Sequence, residues 1–173
     1  MFRPQYMSLL TPHLIWRTAG HSPFKIAMAS VQALFISGRY RCGALTRHWT
    51  CPPTDGCCEL SSQCINIIED IPHIIQRCPA LQKVRLGLHE YTMKYSSTLP
   101  HELMCLLREK CVPSNPSFVS FILDCSSDPD AILLSQQHGE SVFEFLFACT
   151  RTWAYGIHRE RLKLLGRWRP VAN

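Results

Sequence analysis

The sequence predicts a mainly α-helical protein, in which short helices form a small bundle beside a loop-rich, cysteine-containing segment and an irregular N-terminal arm. Several segments place apolar residues at the spacing of one helix face, and proline or capping residues stand where those segments begin. No run of alternating polar and apolar residues indicates a sheet. The 173 residues are 46% hydrophobic and 18% charged, a composition that can bury the core of one domain or of two small ones.

The N-terminal quarter divides into an arm and a helix. Residues 1–23 are proline-rich and lack helical periodicity, so we predict an extended arm that needs another part of the chain to pack on. Residues 24–37 follow with apolar side chains at helical spacing from Ile26 to Ile36. Gly38 comes next and can end this helix.

The C-terminal half contains clear signals for helix starts and stops. Asn115-Pro116 and Asp128-Pro129 each place a capping side chain before a proline that suits the first helical turn. Gly139 is a candidate C-cap for the helix that the second pair begins. Together with apolar periodicity, these signals predict helices over residues 81–95, 100–111, 117–125, 130–138 and 142–165.

The last of these helices is also the longest, and Ser141 and Glu144 before it have the spacing of a capping box. Short connections between the helices fit a small bundle. We therefore divide the chain into an irregular arm (1–23), a module with one helix, a basic-aromatic turn and the cysteine-histidine segment (24–80), and an α-helical region (81–173).

The densest group of cysteine and histidine residues suggests a metal site. It consists of the pair Cys57-Cys58, followed by Cys64, His73 and Cys78. Zinc binds thiolate sulfur and imidazole nitrogen at the corners of a tetrahedron. Two cysteines on a loop would supply one edge of that tetrahedron, and a histidine and a cysteine at a short helix would supply the other.

The spacing of this group leaves alternatives open. The first ligand is either Cys57 or Cys58, and His48 or Cys51 just upstream could substitute for a ligand. The gaps between the first two cysteines exceed the usual knuckle spacing of two to four residues. The alternative interpretation is a helix with a surface histidine and a few buried thiols.

His73 and Cys78 can bind the same ion only if the helix that carries them is interrupted. Asp70 and Pro72 stand where an N-cap and a first-turn proline belong. His73 and Cys78 are five residues apart, which places them about 140° out of phase on an ideal α-helix. Pro79 disfavours helical backbone at the residue before it, so we expect Cys78 to leave the helix and turn back toward His73.

Several stretches of the chain resemble the tail of non-LTR (LINE-type) retrotransposon polyproteins, the region downstream of the reverse transcriptase. The most specific is GRYRCGALTRHW at 38–49, followed by C-x5-C spacing and then EDIPHIIQRCPAL at 69–81. The stretches PQYMSLLTPHLIW and CTRTWAYGIHRERLKLLGRW also look like these elements. The family carries a CCHC motif, and the residues that match it here are Cys58, Cys64, His73 and Cys78.

This resemblance implies a zinc-knuckle-like segment that holds one structural zinc ion. It also implies that the chain assists RNA or target-DNA binding during target-primed reverse transcription. The parent polyprotein would be an RNA-directed DNA polymerase, and its reverse transcriptase domain is then an expected partner of this chain.

The sequence argues against several other classes of protein. It contains no Asp-Asp pair of the kind that clamps two metal ions in a polymerase palm, and we predict that the chain is not an enzyme. Its first twenty residues lack the apolar region of a signal peptide, and no apolar run approaches the ~20 residues of a membrane helix. We therefore expect an intracellular protein, nuclear or cytoplasmic, that is neither secreted nor bound to a membrane.

The charge distribution suggests a polyanionic partner. The formal net charge is +5, but residues 1–95 and 151–173 each carry +5 whereas residues 96–150 carry −5. Basic side chains beside aromatic ones suit phosphate contacts and base stacking. The candidate nucleic-acid-binding residues are Arg39, Tyr40, Arg41, Arg47, Trp49 and Arg77. The alternative is a turn whose aromatic residues fill the core and whose arginines are merely solvated.

Two further predictions concern the rest of the chain. The basic residues of 151–169 would contact phosphates or, as we slightly prefer, the helix that carries them would pack against the acidic segment 96–150. Cys105, Cys125 and Cys149 lie on apolar helical segments, and we expect them in the core. The main alternative function is a helical protein-interaction or structural remnant with no metal and no nucleic-acid binding.

Overall fold

A computed structural model describes residues 13–46 and 55–167, and it confirms the mainly α-helical fold. Eight α-helices account for most of these residues. They are α1 (Leu14–Arg17), α2 (Pro23–Ile36), α3 (Gly43–Thr46), α4 (Gln82–Ser96), α5 (His101–Lys110), α6 (Phe118–Leu123), α7 (Pro129–His138) and α8 (Ser141–Leu164). Within the described ranges, β-structure is limited to an isolated antiparallel bridge between Cys57 and Ile68.

The segment between α3 and α4 contains short turns in place of a long helix. It holds a 3₁₀ turn at Ser62–Cys64, a π-helical turn at His73–Arg77 and a second 3₁₀ turn at Pro79–Leu81. A further 3₁₀ turn, Cys125–Ser127, connects α6 to α7. The predicted loop-rich segment is therefore present, and it lies beside the bundle.

Local capping chemistry sets several helix boundaries as the sequence predicts. The Asp128 carboxylate accepts hydrogen bonds from the backbone N–H groups of Asp130 and Ala131 at the start of α7. Gly139 ends α7 with a φ of 85°, a conformation that glycine adopts without steric cost. The predicted capping box of α8 is not formed, because Glu140 is the N-cap residue and makes no side-chain cap bond.

Helix α6 is shorter than the sequence suggests. The Asn115 side chain accepts the backbone N–H of Ser117, and this local turn delays the helix until Phe118. Competition between side-chain and backbone hydrogen bonding explains this shift, since asparagine readily bonds the backbone two residues ahead.

Helix α8 is the centre of the bundle and packs against α2, α4, α6 and α7. Its 24 residues span about 36 Å. Trp153 is fully buried, donates its indole N–H to the Thr92 hydroxyl at 2.8 Å and meets the edge of the Phe118 ring. One continuous hydrophobic core extends from Ile15 to Ile157, so it draws on all three segments of the predicted domain division.

The described part of the predicted irregular arm contains the one-turn helix α1. Ile15 of this helix is buried in the core. Arg151 of α8 donates to the backbone carbonyls of Ile15 and Thr18 and to the Thr18 hydroxyl. The arm therefore packs on α8, and a buried arginine satisfies the carbonyl groups at the end of α1. Residues 1–12 of the arm lie outside the described residues.

Candidate metal centre

A hairpin-like loop brings together the first two cysteines of the predicted motif. The backbone N–H of Cys58 donates to the Ile67 carbonyl at 2.9 Å, beside the bridge between Cys57 and Ile68. Cys64 ends the intervening 3₁₀ turn, and its carbonyl accepts the N–H of Ile67 at 3.0 Å. Asn66 has a φ of 62°, a left-handed conformation that asparagine tolerates. The loop thus reverses between the two cysteines and places both side chains inward.

A π-helical turn brings the histidine and the third cysteine together. The Asp70 carboxylate accepts the backbone N–H of His73 at 2.6 Å, as the predicted N-cap should. The N–H of Cys78 donates to the His73 carbonyl at 2.7 Å, a bond between residues five apart. Cys78 has a ψ of 119°, outside the helical region, as expected before Pro79. This wider register, with hydrogen bonds between residues five apart, brings His73 and Cys78 closer to one face than an α-helix would.

The four side chains converge on one point. The ligand atoms of Cys58, Cys64, His73 and Cys78 all lie within 4.8 Å of one another, and all four residues are buried. The Cys78 sulfur lies 3.8 Å from that of Cys58 and 4.0 Å from that of Cys64. Thiolates bound to one tetrahedral ion at about 2.3 Å would lie about 3.8 Å apart. The observed distances match that arrangement and are far longer than the ~2.05 Å of a disulfide bond.

The hydrogen bonding of the group also fits a metal site. Nε2 of His73 is buried and has no hydrogen-bond partner, a state that costs free energy unless another group satisfies the nitrogen. Burial raises the pKa of the Cys58, Cys64 and Cys78 thiols and lowers the pKa of His73. Burial thus disfavours the charged thiolates, whereas a bound cation would stabilise them and would also satisfy the His73 nitrogen.

The structure distinguishes between the two adjacent cysteines. Cys58 is buried in the cluster, whereas Cys57 is partly exposed and its backbone N–H donates to the Asp55 carboxylate. Because neighbouring residues of an extended segment point to opposite sides, only one of the pair can face the cluster. The alternative ligands, His48 and Cys51, lie outside the described residues.

A buried ion pair attaches the metal segment, residues 57–78, to the helical bundle. The Glu69 carboxylate accepts two hydrogen bonds from the Arg161 guanidinium, at 3.0 and 2.7 Å, and a third from the Gly43 N–H at 2.8 Å. Arg161 also lies 5.5 Å from the centre of the Tyr40 ring. These contacts connect the metal segment to α8 and to the start of α3, and no sequence motif had identified Glu69.

A second buried arginine supports the metal segment directly. Nη2 of Arg85, on α4, donates to the Cys78 carbonyl at 2.5 Å. Outer contacts of this kind fix the backbone that carries a metal ligand. Arg85 was missed by the sequence analysis, since one arginine on a helix carries no signal that distinguishes a buried role from a solvated one.

The candidate nucleic-acid-binding residues have different environments. Arg39 and Arg41 are exposed in the connection between α2 and α3. Arg77 is exposed and pairs with Asp70 at 3.1 Å. Tyr40 is buried, with its ring 3.8 Å from that of Phe35 and its hydroxyl 3.0 Å from Nδ1 of His158.

The ring of Tyr40 is therefore covered by protein and is not available to stack on a base, in contrast to the sequence prediction. The physical reason is that the aromatic ring gains more from burial beside Phe35 than from exposure in a turn. The two remaining candidates, Arg47 and Trp49, lie outside the described residues.

Helix α8 packs on α6 and α7 of the acidic segment, as we preferred, but within the described residues none of its basic side chains pairs with a carboxylate of that segment. Arg161 pairs with Glu69, which precedes that segment, and Arg151 bonds backbone groups of α1. Arg159, Lys163 and Arg167 are exposed. Sequence position alone could not separate the buried arginines from the exposed ones.

The remaining thiols are mostly structural. Cys111, Cys125 and Cys149 are fully buried in the core, as expected for the last two. Cys105 is exposed on α5, so its assignment to the core was wrong. Its side chain lies on the side of α5 that faces solvent, 3.5 Å from Nε2 of His101.

Comparisons with known proteins add no assignment to this geometry. No helix within residues 13–46 and 55–167 combines the length and the apolar character needed to cross a membrane. No protein-family model, curated protein or solved structure matches the chain.

Proposed function

We propose that this chain is a non-catalytic, nucleic-acid-binding accessory module that holds one structural zinc ion. The observation that carries the proposal is the buried convergence of Cys58, Cys64, His73 and Cys78. Three thiolates and one imidazole form a closed ligand set that structural zinc sites use. Such a set leaves no open position for a substrate, which favours a structural role over a catalytic one.

The same geometry suggests how the metal segment would support binding to phosphates. Arg77 lies within the π-helical turn, between the ligands His73 and Cys78. Fixing both ligands would therefore also fix the backbone that carries Arg77. Arg39 and Arg41 flank the buried Tyr40, so the anchored ring holds two exposed guanidinium groups at the surface. Exposed arginines bind phosphate through planar, paired donors.

The proposal includes the origin suggested by the sequence resemblance. We propose that the chain corresponds to the tail of a LINE-type retrotransposon polyprotein, with RNA or DNA as its ligand and the reverse transcriptase domain as a further partner. The ligand spacing, Cys-x5-Cys-x8-His-x4-Cys, supports this origin because it is close to the CCHC motif of that family.

The metal site is tested by measuring bound metal in protein purified without chelator. We expect about one equivalent of zinc per chain in the unmodified protein and less than half an equivalent in Cys64→Ser, because three ligands bind zinc far more weakly than four. Cys105→Ser is the matched control, since Cys105 is exposed and lies outside the cluster. Equal zinc content in the two variants would contradict the site.

Nucleic-acid binding is tested by fluorescence anisotropy with a labelled single-stranded RNA and a DNA of the same sequence, at low and high salt. We expect affinity to fall steeply with salt, because each neutralised phosphate releases counterions. Replacing both Arg39 and Arg41 with glutamine should reduce the slope of log affinity against log salt by roughly 1 to 2. Lys94→Gln, an exposed substitution on α4, is the control. A salt-independent affinity would refute the phosphate mechanism.

A second candidate function is a helical module that binds another protein without nucleic acid. Apolar side chains of Ile132, Leu133 and Phe145 are exposed on α7 and α8, and they support this alternative. Exposed apolar surface of this kind often marks a protein interface. The anisotropy experiment separates the two, because the interaction module would bind neither oligonucleotide at either salt concentration.

A further inference from the structure

A groove beside the candidate metal centre is lined by basic and neutral groups. It has a volume of about 440 Å³ and lies between the start of α4 and the chain at Val112 and Pro113. The side chains that matter here are Gln76, Arg77, Gln82, Arg85, Leu86 and His89. None of the described residues that line the groove is an aspartate or glutamate.

Arg85 is the buried charge of this groove. It is 7% exposed, and Nη1 is buried without a hydrogen-bond partner, whereas Nη2 donates to the Cys78 carbonyl. Among the described residues, no carboxylate lies within ion-pair distance of its guanidinium. Buried charges are normally paired, because burial without a partner is costly. The groove therefore presents a cation that lacks an anion.

The other groups around Arg85 make an anion favourable here. Arg77 is exposed at the wall of the groove, and its partner Asp70 does not line it. His89 contributes an imidazole from the next turn of α4. The Gln76 amide donates to the Pro113 carbonyl at 2.5 Å, which fixes the opposite wall in place. Leu86 is 58% exposed and adds apolar surface at the rim.

We infer that this groove binds a phosphate group, with Arg85 and Arg77 as its cationic partners. Arginine suits this chemistry because its planar donors match the oxygens of a phosphate. The inference rests on the proposed function for the source of the phosphate, which is the backbone of a single-stranded nucleic acid. The volume accommodates one nucleotide unit, and the apolar rim at Leu86 would lie against its sugar or base.

The phosphate site would depend on the metal centre. Arg77 and Pro79 of the groove flank the ligand Cys78, and Arg85 bonds the carbonyl of that same residue. An ion with three thiolates and one neutral imidazole carries a net charge of about −1. Charge compensation of that centre would account for Arg85, and Asp70 pairs with Arg77, but neither accounts for a groove lined by two arginines and a histidine without a carboxylate among its lining residues.

Gln82→Glu tests the groove without removing any of its cations. Gln82 is exposed at the start of α4 and lines the groove, so the substitution adds a negative charge with almost no change of shape. An acidic residue at a helix start is also compatible with the fold. Gln136→Glu is the matched control, because Gln136 is exposed on α7 and the change in charge is the same.

Binding is measured in two arms with the zinc-loaded 173-residue chain. In the first, inorganic phosphate is titrated against chloride of matched ionic strength while the amide NMR signals are followed. In the second, the affinity for a labelled single-stranded oligonucleotide is measured with and without phosphate as a competitor. We expect phosphate to shift the amide signals of residues 76–89. Gln82→Glu should weaken the binding of phosphate and of the oligonucleotide about tenfold, whereas Gln136→Glu should leave both affinities unchanged.

The outcomes separate this inference from the proposed function. If the oligonucleotide binds all three proteins equally and phosphate does not compete, the groove is not a phosphate site although nucleic-acid binding stands. If phosphate shifts the groove signals and Gln82→Glu weakens phosphate binding, but no oligonucleotide binds, the phosphate site is supported. The proposal that the phosphate belongs to a nucleic acid is then refuted. If phosphate shifts no groove signal, the inference is overturned, and Arg85 is a counterion of the metal centre.

Discussion

The buried pair of Glu69 and Arg161 allows a quantitative test of how the metal segment is held on the bundle. The two residues are 4% and 6% exposed, and the pair is bidentate. Burial alone would lower the pKa of Arg161, but the hydrogen bonds and the charge of Glu69 raise it overall. Glu69 therefore compensates a charge that water cannot reach.

The perturbation is Glu69→Gln, which keeps the size of the side chain and removes its charge. Breaking a buried pair by neutralising one partner costs about 3–5 kcal/mol, because the other charge stays buried without compensation. Two contacts reduce this loss, since a glutamine oxygen can still accept the Gly43 N–H and the Tyr40 ring still faces Arg161. We therefore expect the free energy of unfolding to fall by about 3 kcal/mol.

The assay is urea denaturation followed by circular dichroism, with metal content matched between variants. With a slope of about 2 kcal/mol/M, the midpoint should fall by about 1.5 M. Glu59→Gln is the control, because Glu59 is exposed in the same segment and its substitution should cost less than about 0.5 kcal/mol. A loss below about 1 kcal/mol for Glu69→Gln would refute the reasoning.

A double-mutant cycle checks the pairwise origin of the effect. Arg161→Met leaves the Glu69 carboxylate buried without its cation, so this single variant should also be strongly destabilised. The double variant contains neither buried charge. We expect its loss to be smaller than the sum of the two single losses by about 2 kcal/mol or more. Additive losses would show that the two side chains act independently.

Two further predictions concern the loss of stability at low pH and the close contact between the backbones at Gly43 and Gly56. Burial raises the pKa of Asp124, but the His13 imidazole 3.7 Å away and hydrogen bonds from Ser126 and Ser127 outweigh it and lower the pKa to about 2. Asp124 thus contributes about 2 kcal/mol to the free energy of unfolding above pH ~4, and this contribution is lost as the pH falls toward 2. Asp124→Asn should remove this part of the pH dependence in urea titrations. If the free energy of unfolding of the variant still differed between pH 6 and pH 3 as much as that of the unmodified protein, the prediction would be contradicted. Gly43→Ala should lower the melting temperature, because a Cβ there would lie 2.3 Å from the Gly56 carbonyl oxygen; a substitution at Gly87, where the space is open, is the control, and equal effects would contradict the prediction.

Much of the fold could be predicted because helix ends depend on nearby residues. The N-cap at Asp128 and the C-cap at Gly139 lie where the sequence places them. The same is true of Asp70, which caps the turn that carries His73. Failures arose where two local options compete, as at Asn115 and at the capping box before α8.

The candidate site was predictable to the level of its ligand set. The departure of Cys78 from helical backbone follows from Pro79, a local steric effect. The π-helical register was not predictable, since it depends on the convergence of four side chains from two separate segments. The same convergence decides between Cys57 and Cys58, which are equivalent in the sequence.

The sequence by itself determined the helical class, most helix boundaries and three ligands of the candidate metal centre, with the fourth limited to Cys57 or Cys58, because these depend on periodicity, capping and spacing along the chain. Only the tertiary structure decided which basic and aromatic residues are buried. Tyr40 packs on Phe35, Arg161 pairs with Glu69, and Arg85 lacks a carboxylate partner among the described residues. Burial is a property of the whole packed chain, so the same residue type can anchor the core at one position and face solvent at another.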